Sequence, residues 1–136
     1  MTEKLLIAVP VLAVLAACVA DQSQMPGPDE GAALFAENCT ACHDYQGQGG
    51  TLAGGQTAPD LTGISARNGG VFPRAAVLSK IDGYGHGGMT PEIMPEFGAL
   101  LEGDLVPVDV EGTLTPTPRP LAALLSYLES IQTAEG

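Results

Sequence analysis

The chain has 136 residues and a formal net charge of −11, room for one small domain. Its five basic residues, Lys4, Arg67, Arg74, Lys80 and Arg119, are scattered and form no patch, which speaks against nucleic acid as a partner. It has no Trp, only 4% aromatic residues, 18 Gly and 11 Pro, so much of it is expected to be loop, around a core thin enough to need a staple, metal or cofactor.

Lys4 precedes an apolar run over 5–17, interrupted only by Pro10. The run is short for a membrane-spanning helix and suits the apolar region of a signal peptide, assigned here to 1–17. It ends Leu15-Ala16-Ala17-Cys18, which resembles a bacterial lipobox, with cleavage before Cys18 and lipid added to its thiol. An ordinary signal cut nearby and an uncleaved N-terminal helix anchor are the other readings. All three export the domain, to the periplasmic side of a bacterial membrane, either lipid-anchored, soluble or helix-anchored. Residues 18–28 are small, polar and Pro-punctuated, and read as a flexible tether in which Met25 has no assigned role.

The next segment carries Cys39-Thr40-Ala41-Cys42-His43, the C-x-x-C-H pattern of covalent c-type haem attachment. Each thiol adds across one vinyl group, and two intervening residues on a helical turn match the separation of neighbouring vinyls. The following imidazole then reaches the iron from the same face, so His43 is the expected proximal ligand. Three other readings exist. A thioredoxin-type pair would need a βαβ context, and a structural zinc site would need two more ligands. A Cys39–Cys42 disulfide would leave His43 unexplained.

Further features join the haem motif. Residues 29–39 read as a first helix with Gly31, Leu34 and Phe35 ahead of the motif, Pro28 and Asp29 serving as start signals. Residues 118–131 read as a last helix, with Leu121, Leu124, Leu125, Leu128 and Ile131 at helical spacing, Tyr127 alongside, Thr117 as N-cap and Pro118 first. Between them lies Ala58-Pro59-Asp60-Leu61-Thr62-Gly63. Together these resemble the monohaem class I cytochromes c over residues 29–133. The resemblance implies that the two helices cross with Gly31 against Tyr127 or Leu128. It also implies that the Pro59 carbonyl accepts a hydrogen bond from the His43 ring, fixing its tautomer and plane.

In that family a Met thioether usually completes the iron's coordination. Met94-Pro95-Glu96-Phe97 resembles its ligand loop, with Met89 as the alternative and His86 in a Gly-rich loop behind both. Arg67, Tyr84 and His86 are candidate partners for the haem propionates, since buried carboxylates need donors. Residues 47–55 read as a Gly-rich loop over the haem edge. The 99–117 stretch is longer than the family's usual link. In it Val106, Val108 and Val110 alternate ahead of Glu111-Gly112, which reads as a short strand or β-hairpin near 105–114.

The expected fold is therefore mainly α, a class I cytochrome c fold with a few helices around one covalent haem c and its iron. The expected function is one-electron transfer by a His/Met-ligated haem, with no enzymatic activity and no small-molecule substrate. The alternative is a haem enzyme or gas-binding protein with an open sixth position. Redox partner proteins with a basic docking face suit the acidic chain, and the lipid would place it at a membrane.

Overall fold

The computed structural model describes residues 24–84 and 94–133. The signal segment, Cys18, His86 and Met89 lie outside the described residues. Among those described there are five helices and two two-stranded antiparallel sheets, a mainly α architecture.

Helix α1, Pro28–Asn38, starts on Pro28 with Asp29 and Glu30 in its first turn, where carboxylates favour the helix dipole. It buries Gly31 and Phe35. The Cys39 N–H bonds back to the Phe35 carbonyl (2.9 Å), and a single further turn, α2 (Thr40–His43), continues the coil. Asp44 stops it at φ 56°, and its carboxylate accepts the N–H groups of Gln46 (2.7 Å) and Gln48 (3.2 Å). The Gly-rich run that follows holds a minute hairpin, β1 (Gly50–Thr51) against β2 (Thr57–Ala58). Then come α3 (Ile64–Arg67) and α4 (Arg74–Asp82), the latter closed by Gly83 at φ 91°.

The long stretch before the last helix is a regular hairpin, β3 (Leu105–Val110) and β4 (Thr113–Pro118). Glu111 (φ 54°) and Gly112 (φ 84°) make its two-residue turn, both at the positive φ that a tight antiparallel reversal requires. Pro107 faces Pro116 across the ladder. The inner face is buried, with Val106 and Val108 packing against Ala122 and Leu125.

Strand β4 runs straight into α5, Arg119–Ser130, which departs from the expected helix start. Thr117 is not an N-cap: it pairs with Val106 in the ladder, and its hydroxyl donates to the Thr115 carbonyl (3.1 Å). Pro118 occupies the cap position and Pro120 the first turn. The apolar stripe is otherwise as expected, with Leu121, Leu124, Leu125 and Leu128 buried.

Helices α1 and α5 cross at Gly31. A β-carbon there would overlap the Ala123 carbonyl and stand 2.7 Å from Tyr127 Cβ, so only glycine allows this approach. The Phe35 and Tyr127 rings meet beside it, 5.0 Å between centroids. Arg74 binds Glu129 of α5 in a two-pronged pair (2.7 and 2.9 Å) and donates to the Asp109 carbonyl (2.7 Å), joining α4, α5 and the hairpin.

The described end of the expected tether, residues 24–28, packs against the rest of the chain. Met25 packs against the Val106–Val108 cluster, and the Ser126 hydroxyl donates to the Pro26 carbonyl (2.7 Å). Residues 24–28 therefore belong to the folded body. Packing Met25, burying Pro26 and satisfying its carbonyl outweigh the freedom that a small, Pro-rich composition suggests.

Candidate functional site

The turn made by Cys39 and α2 carries the reactive groups. The His43 N–H bonds to the Cys39 carbonyl (2.9 Å) and the Cys42 N–H to the same atom (3.2 Å), so the two thiols, three residues apart, share one face of a helical turn. Cys39 is half-buried and Cys42 exposed. Burial, with the neighbouring Cys42 adding to it, pushes the Cys39 thiol up to about 11. A free Cys39 is thus a neutral thiol at pH 7.

His43 is buried, 7% exposed, and its Nδ1 lies 3.2 Å from the Pro59 carbonyl oxygen. The carbonyl can only accept, so Nδ1 is the donor, and in the neutral ring Nε2 keeps the lone pair. Two neighbours hold Pro59 in place. Gly49 donates its N–H to the His43 carbonyl (3.0 Å) and lies so close to Pro59 that a β-carbon would stand 2.7 Å from the Pro59 oxygen. Asp60 closes the following turn by accepting the Thr62 hydroxyl (2.7 Å) and N–H (2.8 Å). Those bonds hold the Asp60 carboxyl below its ordinary value.

These groups border two adjoining apolar hollows of about 390 and 510 Å³. Each falls within the usual range for a ligand cavity. Cys39, His43, Pro59, Leu61, Met94 and Phe97 line both. Cys42 lines the larger hollow, and Phe35, Ile81, Leu124 and Leu128 bring the main core to the wall of the smaller one. The donors and walls fit a covalently held haem. Two thiols on one turn, an imidazole with a bare nitrogen and a thioether stand around a space whose walls suit a flat apolar ring system.

Of the remaining expected residues, Arg67 lines the smaller hollow and donates to the Asp60 carbonyl. Tyr84 is 81% exposed and lines neither hollow, so the structure does not bring it to the site. His86 and Met89 lie outside the described residues. Two site residues escaped the sequence reading. Lys80 lines both hollows on the same face of α4 as Val77 and Ile81, and nothing beyond its basic charge marked it. Gly49 was one glycine of many in its run.

Among the described residues no group of three or more His, Cys, Asp or Glu is placed to hold a metal ion by itself. No described helix is long and apolar enough to cross a membrane. A search of curated proteins finds no match. The family model for cytochrome c matches residues 28–132, nearly all of the described chain. The chain belongs to the cytochrome c family, whose members hold a covalently attached c-type haem with its iron, bind redox partner proteins and generally act as electron carriers rather than enzymes.

Proposed function

We propose that this chain carries one electron at a time on a single haem bound through Cys39 and Cys42, with His43 and Met94 as the two iron ligands. The observation that carries the reading is that both thiols, the imidazole and the Met94 thioether border one apolar crevice. When bound, the haem supplies an iron that cycles between the ferrous and ferric states.

The protein's own residues set the conditions for that cycle. Pro59 holds the His43 ring in one tautomer, with Gly49 and Asp60 fixing Pro59 in turn. Met94 offers a soft donor that favours reduced iron. Leu61, Phe97, Ile81 and Leu128 keep water from the crevice, which limits solvent reorganisation during transfer. Exposed Cys42 marks where the crevice meets the surface, the natural point of contact for a partner. A chain carrying −11 suits partners with a basic docking face, and the rate of transfer to such a partner should fall as salt rises. Arg67 and Lys80 line the smaller hollow and would supply cationic donors to haem propionates. Cys18 is the proposed lipidation site, holding the domain on the periplasmic side of a bacterial membrane.

Chain matured in a host that attaches c-type haem tests the ligand set through its ferric absorption spectrum. Sulfur-ligated iron shows a weak red band, and Met94→Ala should abolish it while Met89→Ala leaves it. A red band that survives Met94→Ala refutes Met94 as ligand. High-spin ferrous haem that binds carbon monoxide in the unsubstituted protein would favour a gas-binding protein or haem enzyme.

A further inference from the structure

The two faces of the β3–β4 hairpin are unlike. The inner face is core. The outer face carries the cross-strand pairs Leu105–Pro118, Pro107–Pro116 and Asp109–Leu114, so five of its six residues are apolar. Leu105 is 64% exposed and Leu114 69%. Isolated exposed apolar residues are ordinary on a protein surface, but a contiguous set on one sheet face marks a contact surface.

The course of the N-terminal chain indicates what covers it. The Gln24 carbonyl accepts a hydrogen bond from Arg119 Nη1 (3.4 Å), and the Arg119 N–H bonds to the Asp104 carbonyl (2.8 Å) at the open end of the hairpin, where Leu105 faces Pro118. Arg119 also grips Glu30 in a two-pronged pair (2.9 and 3.1 Å). With Met25 packed beneath the sheet, the incoming chain is pinned beside the hairpin's base. Six residue steps separate Gln24 from Cys18, a reach of at most about 20 Å. A six-residue strand is itself about 20 Å long, so a lipid on Cys18 keeps the hairpin within touch of the bilayer. The thiols follow the far end of α1, whose 11 residues carry the chain about 16 Å on from Pro28.

We infer that the outer face of the hairpin rests on the lipid surface that holds Cys18, seating Leu105, Pro107, Leu114 and Pro116 at the boundary between headgroups and acyl chains. This rests on the lipidation of Cys18 proposed above. The contact is apolar rather than electrostatic, since the six outer residues include Asp109 and no cation, and the chain as a whole would be repelled by anionic headgroups. So small a patch binds lipid weakly alone, and the short tether supplies the effective concentration that holds it down. The haem-bearing end of α1 then stands clear of the membrane, open to partners.

The test uses the full lipidated, haem-loaded chain on phosphatidylcholine vesicles, with the iron kept ferrous. A nitroxide is attached at Leu114→Cys and, as control, at Tyr45→Cys, a position 81% exposed beside the haem motif. Collisions with a water-soluble nickel chelate should be lost at 114 and retained at 45. Adding Leu105→Asp should restore them at 114 while the protein still floats with the vesicles. Chelate access at 114 equal to that at 45, in protein that floats, overturns the inference and leaves the anchor standing. Spin–spin broadening at 114 without vesicles overturns it in favour of a second copy of the chain. Protein that fails to float, with no acyl mass on Cys18, removes the anchor and the inference together.

Discussion

Gly49 leaves no room for a side chain beside the Pro59 carbonyl, the group that orients His43: a β-carbon there would overlap the Ala58 carbonyl oxygen and stand 2.7 Å from that of Pro59. Gly49 also sits at φ 75°, so Ala there meets two penalties, the conformational one and the overlap. Gly54→Ala isolates the first, because Gly54 has φ 96° and no neighbour within reach. Gly54→Ala should cost about 1 kcal/mol, and Gly49→Ala about 2–4 kcal/mol. Urea unfolding of the haem-loaded proteins checks the order. Only Gly49→Ala should also shift the reduction potential, since only it moves the carbonyl that holds the imidazole.

The helix crossing at Gly31 makes a second test. The two nearest atoms a new side chain would strike belong to the Ala123 backbone and the third is Tyr127 Cβ, so shortening Ala123 cannot relieve them. Gly31→Val should destabilise by about 3 kcal/mol or more, although Val is a better helix former than Gly. Ala123→Gly added to it should give no rescue. A thermal melt of the double variant that returns to the parental midpoint would contradict this geometry.

Acid should act partly through Asp60. Its carboxyl is held below the ordinary value by the Thr62 hydroxyl and N–H, so the folded state favours the ionised form. The resulting stability is fully present above the unfolded value of 3.8 and is lost as pH falls through the lower folded value. Asp60→Asn should therefore be less stable than the parent at pH 6, with the difference narrowing once the pH drops below 3.8. Asp60 is almost fully exposed, so the difference is small. Urea midpoints of both proteins across that range supply the measurement.

Arg74 joins three elements through Glu129 and the Asp109 carbonyl. The Glu129 hydrogen bond, the larger cause, raises the Arg74 pKa further, so the charge is permanent at any working pH. The pair is about a quarter to a third exposed, which limits its worth to about 1 kcal/mol. Arg74→Met should lower stability by roughly that amount and speed amide exchange in β3 and β4 more than in α1. Arg74→Lys should recover little, because an ammonium cannot reproduce the two-pronged grip.

The parts of this fold that were legible from sequence are those in which one residue pattern has one physical solution. Cys39, Cys42 and His43 fall on a helical turn because their chemistry requires it. The alternating valines ahead of Glu111-Gly112 form a hairpin with a buried face. The α5 stripe is core. Less legible were places where tertiary contacts override local composition. Thr117 looks like a cap, but the ladder claims it. Met25 and Pro26 look like linker, yet the core holds them. Gly49 cannot be told from its neighbours without knowing what stands opposite, and Lys80 reaches the crevice through helix geometry alone. The β1–β2 pairing involves too few residues to carry any periodicity.

The facing prolines of the hairpin have a consequence for the chain's behaviour in a crowd. Pro107 and Pro116 stand opposite one another, so their nitrogens point outward, at the rims where a neighbouring strand would look for donors. Pro118 leaves a second gap on the β4 side. A foreign strand aligning along either rim finds missing hydrogen bonds, so this sheet cannot seed a growing stack. The protein can thus display greasy side chains without inviting polymerisation.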